Sequence, residues 1–179
     1  FPRGRNQLDE GQFDKSEEVF GASGGASLYR AELFKQIGLF DEDYFAYFED
    51  VDISFRAQIA GWKVRYTPKA VAYHGVGATS SKMGDLARYH SAKNFLLLYK
   101  RNMPFKLLLK YFVPFTLQFG RMALTSIARR KFLVFLRGTW AAAKLYGKTL
   151  RVRKHNLGKQ QVSTDYIDSI LTHSRPPRI

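Results

Sequence analysis

Cysteine is absent from this chain, which excludes a disulfide framework and any thiolate-bound metal; oxygen and imidazole remain as metal ligands. Long apolar runs are missing too. The longest charge-free stretch in the hydrophobic second half, YFVPFTLQFG between Lys110 and Arg121, has ten residues, half of the about twenty that a bilayer span needs. The opening FPRGR lacks the charged-then-apolar order of a signal peptide and reads as a start within a longer protein. Acidic residues are scarce in one region: residues 81–179 hold three Asp/Glu against twenty Lys/Arg, net +17.

What is present bounds the class. With 179 residues, 45% hydrophobic and 15% aromatic, the chain can bury one core with an appendage and is no disordered tail. Residues 1–80 hold nine Lys/Arg against twelve Asp/Glu, net −3, so the halves of this +14 chain are expected to face different partners. No internal repeat is visible.

The first half reads as mixed α/β. Residues 1–20 lack a period and read as a loop, and GASGGASLYR (21–30) reads as small residues leading into a strand. AELFKQIG predicts a short helix with Leu33, Phe34 and Ile37 on one face and Gly38 as its stop. A second helix is expected from near Asp50 to Ala60, closed by Gly61. WKVRY and AVAYH then read as two strands around the Thr67-Pro68 turn, with His74 ending the second. From Asp85 to about Tyr146 the pattern is helical, with breaks expected at Pro104 and Pro114. The tail from Arg151 is basic and polar, and partial disorder is expected there.

Six of the fifteen carboxylates lie in FDEDYFAYFEDVDISFR (40–56). Two accounts compete. Glu49, Asp50 and Asp52 crowd a helix N-terminus, which the macrodipole favours, and Asp52 and Arg56 are spaced i,i+4 for an ion pair. Alternatively, the aromatic wall YFAYF desolvates Glu49-Asp50 and makes a carboxylate there a better base. The FDED acids read as turn and cap residues, and the aromatics at 44–48 and Trp62 as core.

The ordered series GASGGASLYR, IGLFDEDYFAYFEDVDISFRAQIAGWKVRYTPKAVAYH and GATSS resembles the C-terminal half of the catalytic domain of family 2 glycosyltransferases over about residues 18–105. It is most like the rhamnosyltransferase-like and galactofuranosyltransferase-like branch. The resemblance implies an α/β fold of the GT-A type and inversion at the sugar's anomeric carbon. It implies Asp50 as general base for an acceptor hydroxyl, with Glu49 orienting acceptor or base. Ser23, Gly24, Gly25 and Ala26 would let backbone approach a sugar, and Arg56 is a candidate near phosphate, although pairing with Asp52 is its simpler use. His74 would complete a divalent metal site (Mg2+ or Mn2+) whose oxygen partners come from an Asp-x-Asp motif; read alone, His74 is a structural histidine. No Asp-x-Asp stands before GASGG, and Asp41 and Asp43 lie on its wrong side, so the nucleotide-binding half is expected to lie outside this chain.

The organisation expected is an acceptor and catalytic half (1–84), a basic helical region (85–150) suited to the membrane interface, and a basic tail (151–179). Partners implied are a nucleoside-diphosphate sugar (dTDP, UDP or GDP), with rhamnose the first choice, a lipid-linked or glycan acceptor, and an anionic membrane at its cytoplasmic face. The alternative is a non-catalytic basic module binding membrane or nucleic acid; apolar clusters such as FLLLY and FLVFL, and the lack of any nucleic-acid motif, argue against nucleic acid.

Overall fold

A computed structural model describes residues 8–73 and 84–171. Its centre is a helix. After strand β1 (Glu17–Val19) and helix α1 (Ala31–Ile37), α2 (Glu49–Ile59) runs through the middle with eight of its eleven residues buried. Ile53, Ala57 and the following Ala60 pack on Leu33 and Ile37 of α1. Phe55 and Ile59 face the other way, against Met103, Leu107 and Ile167. Strand β2 (Val64–Tyr66) pairs antiparallel with β1, Val19 opposite Val64 and Glu17 opposite Tyr66.

Helices follow: α3 (Asp85–Asn102), α4 (Phe105–Lys110), α5 (Phe112–Ala128), α6 (Phe132–Lys144), α7 (Tyr146–Gly158) and α8 (Thr164–Ile170). Residues 8–73 thus hold two helices and a two-stranded sheet, the mixed α/β expected of the first half though with a smaller sheet, and residues 84–171 are helical. The helix ends at Gly38 and Gly61, the pairing of Asp52 with Arg56, and the break at Pro104 occur as expected. Met103 before that proline is extended (φ −74°, ψ 123°), as a residue preceding proline must be, and Pro104 caps α4.

Four local expectations are corrected. Residues 17–19 form a strand and not a loop, because distant β2 supplies its ladder and Gln58 donates to the carbonyl of Phe20 just beyond it (2.9 Å). Residues 21–30 form no strand; their amides serve a Ser23–Ala26 turn and the Asp50 carboxylate instead. Residues 70–73 are exposed and unpaired in any sheet, and His74 lies outside the described residues. Pro114 breaks nothing, since it is the third residue of α5, where an N–H has no acceptor within the helix.

In the basic tail the described residues, 151–171, are mostly helical. α7 and α8 are ordered helices, and residues 159–167 return to the first half of the chain. Gln161 N–H donates to the Ile59 carbonyl (2.9 Å), Tyr166 Oη donates to Gln58 Oε1 (2.9 Å), and Ile167 is fully buried. α6 crosses α3 at Gly138, where a Cβ would stand 2.3 Å from the Tyr89 carbonyl oxygen, so only glycine permits this approach.

Candidate active site

The loop leading into α2 is held from α3. Arg101 is fully buried and donates through Nη1 to Asp41 Oδ2 (2.5 Å) and through Nη2 to Asp43 Oδ2 (2.7 Å). Lys148 of α7 adds a bond to Asp43 Oδ1 (2.8 Å), and Lys93 donates to the Asp43 carbonyl. Burial alone would raise the Asp43 carboxyl, but hydrogen bonds and positive charge from Lys148 and Arg101 hold it below its ordinary value. Asp41 accepts from the Asp43 amide as a turn residue should (3.0 Å), but the acids also form the ion-pair network that anchors the loop.

Beyond it the backbone is unusual. Phe45, Tyr47 and Phe48 all adopt positive φ (59°, 68° and 69°), which side-chain-bearing residues rarely do. Asn94, fully buried, shares its side-chain N–H groups among the carbonyls of Tyr44 (2.8 Å), Ala46 (2.8 Å) and Tyr47 (2.7 Å). Ring contacts of Phe48 with Phe95 and of Phe45 with His90 complete the clamp. The left-handed run delivers the chain into α2 with Glu49 and Asp50 on its first turn.

Asp50 Oδ2 accepts the Gly24 backbone N–H at 3.0 Å, and Oδ1 accepts the Val51 N–H at 2.8 Å. Each oxygen keeps a further lone pair. The Ser23–Ala26 turn therefore stands directly over the Glu49-Asp50 pair and is exposed. A Cβ at Gly24 would sit 3.7 Å from Asp50 Oδ2 and 3.8 Å from Glu49 Oε1, in ordinary contact with both, so the turn passes close to the two carboxylates. Gly21 packs closer still; a Cβ there would stand 2.5 Å from Ser54, whose hydroxyl donates to the Asp50 carbonyl (2.6 Å). Burial raises the Glu49 carboxyl above its ordinary value, the Asp50 charge adds to it, and Glu49 Oε2 has no partner among the described residues.

Arg56 is elsewhere. It is buried, with Nε on Asp52 (2.8 Å), Nη1 on the Ile37 carbonyl and Nη2 on the Leu39 carbonyl, both 2.9 Å. Its guanidinium closes the C-terminus of α1 and is not available to substrate, which corrects its place among the binding residues. Asp52 Oδ1 accepts from Asn102 Nδ2 (2.7 Å), and Asn102 Oδ1 accepts from Asn156 (2.9 Å). Asn94, Arg101 and Asn102 were not singled out from the sequence. A signal existed: His90, Asn94, Leu97 and Arg101 recur at helical spacing and share the buried face of α3, and three of the four are polar.

Among the described residues no group of three His, Asp or Glu could hold a metal. Asp41 and Asp43 are committed to Arg101 and Lys148, and His74 lies outside the described residues.

Residues 4–94 match the family model described as "Glycosyltransferase like family 2", and the chain belongs to that family. Two curated relatives, from Mycobacterium tuberculosis strains CDC 1551 / Oshkosh and ATCC 25618 / H37Rv, are each named N-acetylglucosaminyl-diphospho-decaprenol L-rhamnosyltransferase. Each is 36% identical over 93 residues, which is 51% of this chain and 30% of the relative, so the match spans less than a third of the relatives' length. No solved structure matches the chain.

Proposed function

We propose that this chain forms the acceptor side of an inverting sugar transferase of the GT-A type in which Asp50 is the general base. The observation that carries the reading is the Asp50 carboxylate, half-buried and held by the Gly24 amide, with the exposed Ser23–Ala26 turn beside the space an acceptor would enter. An acceptor hydroxyl entering that space gives its proton to Asp50 as its oxygen attacks the anomeric carbon of a nucleoside-diphosphate sugar. The bond from that carbon to the diphosphate oxygen breaks on the opposite face, the nucleoside diphosphate leaves with the bonding pair, and the configuration inverts. Glu49, beside the base and short of a partner, orients the acceptor. The described residues do not fit a divalent metal, and no step here passes through one.

The relatives are named for L-rhamnosyl transfer to N-acetylglucosaminyl-diphospho-decaprenol, which supports rhamnose as the sugar and an acceptor sugar carried on a polyprenyl diphosphate; dTDP is the nucleotide this reading takes for the donor. A lipid-borne acceptor fits the second half of the chain. Residues 105–145 carry eight Lys/Arg and no acid, and Val113, Leu117, Leu124 and Ile127 form an exposed apolar stripe on α5 continued by Leu133 and Trp140 of α6. No helix among the described residues is long and apolar enough to cross a membrane. The occupant of this face is an anionic bilayer, in whose interface the helices lie at the cytoplasmic side, stems buried and basic heads in the headgroup layer.

The test is transfer of labelled rhamnose from dTDP-rhamnose to N-acetylglucosaminyl-diphospho-polyprenol by the protein carrying this chain. Transfer that is lost in Asp50→Asn supports the reading, and transfer that survives the substitution removes Asp50 from the reaction.

A further inference from the structure

A second polar concavity lies on the other side of the 45–48 loop from the α2 core. It is a cleft of about 390 Å³ between the N-terminal turn of α3, the C-terminal end of α5 and α6. Arg88 and Arg129 line it with Ser91, Thr125, Ser126 and Tyr47, and among the described residues no carboxylate does. Asp85, the acid on the same turn of α3, is paired with Lys131 instead (2.8 Å). Arg88 is fixed by a bond from Nη1 to Ser126 Oγ (2.7 Å), and that serine is fully buried. The Tyr47 hydroxyl finds no partner among the described residues. The Thr125 and Ser126 hydroxyls donate to the Met122 carbonyl (3.0 and 2.6 Å), which leaves two guanidiniums from different helices, the Ser91 hydroxyl and an unused phenol as donors to an anion with several oxygens.

We infer that this cleft binds the diphosphate of the polyprenyl-linked acceptor, an inference that rests on the transferase reading above. The surroundings favour the acceptor over other phosphates. Tyr47 is two residues before Glu49, so the cleft shares a wall with the loop that presents the base. On the other rim the side chains are apolar and exposed: Leu124 (65%) and Ile127 (54%) flank Thr125 and Ser126 on α5. A prenyl chain leaving the diphosphate would run onto that stripe. The lipid would then lie with the membrane face, its diphosphate in the cleft and its sugar toward Asp50.

The experiment uses the full chain and farnesyl diphosphate as probe, with binding followed by calorimetry. Binding is expected, with inorganic pyrophosphate competing and Arg129→Ala weakening the probe about tenfold or more, since Arg129 is exposed and its loss spares the fold. Arg88→Gln should weaken it similarly; Arg129→Ala keeps the test valid if Arg88→Gln perturbs folding. Asp50→Asn should bind the probe as the parent does, which separates this inference from the catalytic one. Three outcomes overturn the inference: no binding of the probe; equal binding by Arg129→Ala; or dTDP or phosphatidylglycerol vesicles binding through Arg129 in place of farnesyl diphosphate, which would give the cleft to the donor or to membrane headgroups. The transferase reading fails by its own criterion, unchanged transfer in Asp50→Asn.

Discussion

Asn102, the last residue of α3, donates its side-chain amide to the fully buried carboxylate of Asp52 at 2.7 Å, and so joins the basic helical half of the chain to the helix that carries the candidate base. With Arg101 beside it on Asp41 and Asp43, the two final positions of α3 set where the acidic loop begins and where α2 lies.

Replacing Arg101 by Met should therefore destabilise the protein by about 3 kcal/mol, because two carboxylates lose a buried, forked partner. Urea unfolding measures it, and Arg101→Lys, which keeps charge without the fork, should fall between the two. The pH dependence follows from the depressed Asp43 carboxyl. Its stabilisation is complete above the unfolded value, near 4, and is lost as pH falls through the lower folded value. The parent should lose stability below about pH 4, and Arg101→Met should show a flatter acid limb.

Asp50→Asn should lower transfer by about 10²–10⁴-fold, the range of a lost general base, with the melting temperature little changed. The residue is half-buried, and the amide oxygen can keep one of its two backbone bonds, from the Gly24 or the Val51 N–H, while the exposed Ser23–Ala26 turn leaves the other amide within reach of water. A parallel loss of melting temperature would make Asp50 structural.

Glu49→Gln should raise stability at neutral pH while lowering transfer. Burial raises the Glu49 carboxyl, so its ionisation works against the fold as pH climbs above the unfolded carboxylate value. The amide is spared that cost. Melting curves of parent and variant should separate at pH 7 and converge near pH 4; curves that coincide at both would contradict the placement of Glu49.

Gly24 and Gly138 should respond oppositely. Gly24→Ala fits in ordinary contact with Asp50, so it should fold normally and impair transfer by filling the space before the carboxylates. Gly138→Ala would drive a methyl to 2.3 Å from the Tyr89 carbonyl and should cost about 2–3 kcal/mol in thermal or urea unfolding.

Binding to anionic vesicles should be strong at low salt, weaken with ionic strength, and fall sharply in Leu117→Glu with Trp140→Glu, both of which are exposed and leave the core intact. Co-sedimentation that is unaffected by this pair would place the membrane contact elsewhere.

The sequence alone determined the elements whose cause is local. The helix 31–37 and its glycine stop follow from apolar spacing and Gly38, the break at Pro104 from a ring that cannot donate, and the Asp52–Arg56 pair from i,i+4 geometry. The ordered motifs from GASGG to GATSS likewise pointed to the family. Tertiary structure decided everything that needed a distant partner. A three-residue strand at 17–19 exists because β2 lies beside it, and residues 151–171 are ordered because Gln161, Tyr166 and Ile167 find their partners about a hundred residues earlier. The same holds for the site. The placement of Gly24 over Asp50, and of Asn94 under three carbonyls in a left-handed run, rests on bonds across 26 and about 50 residues. Side-chain spacing along a chain specifies faces and turns, but a directed bond between polar groups far apart in sequence forms only when the packed core has fixed both ends.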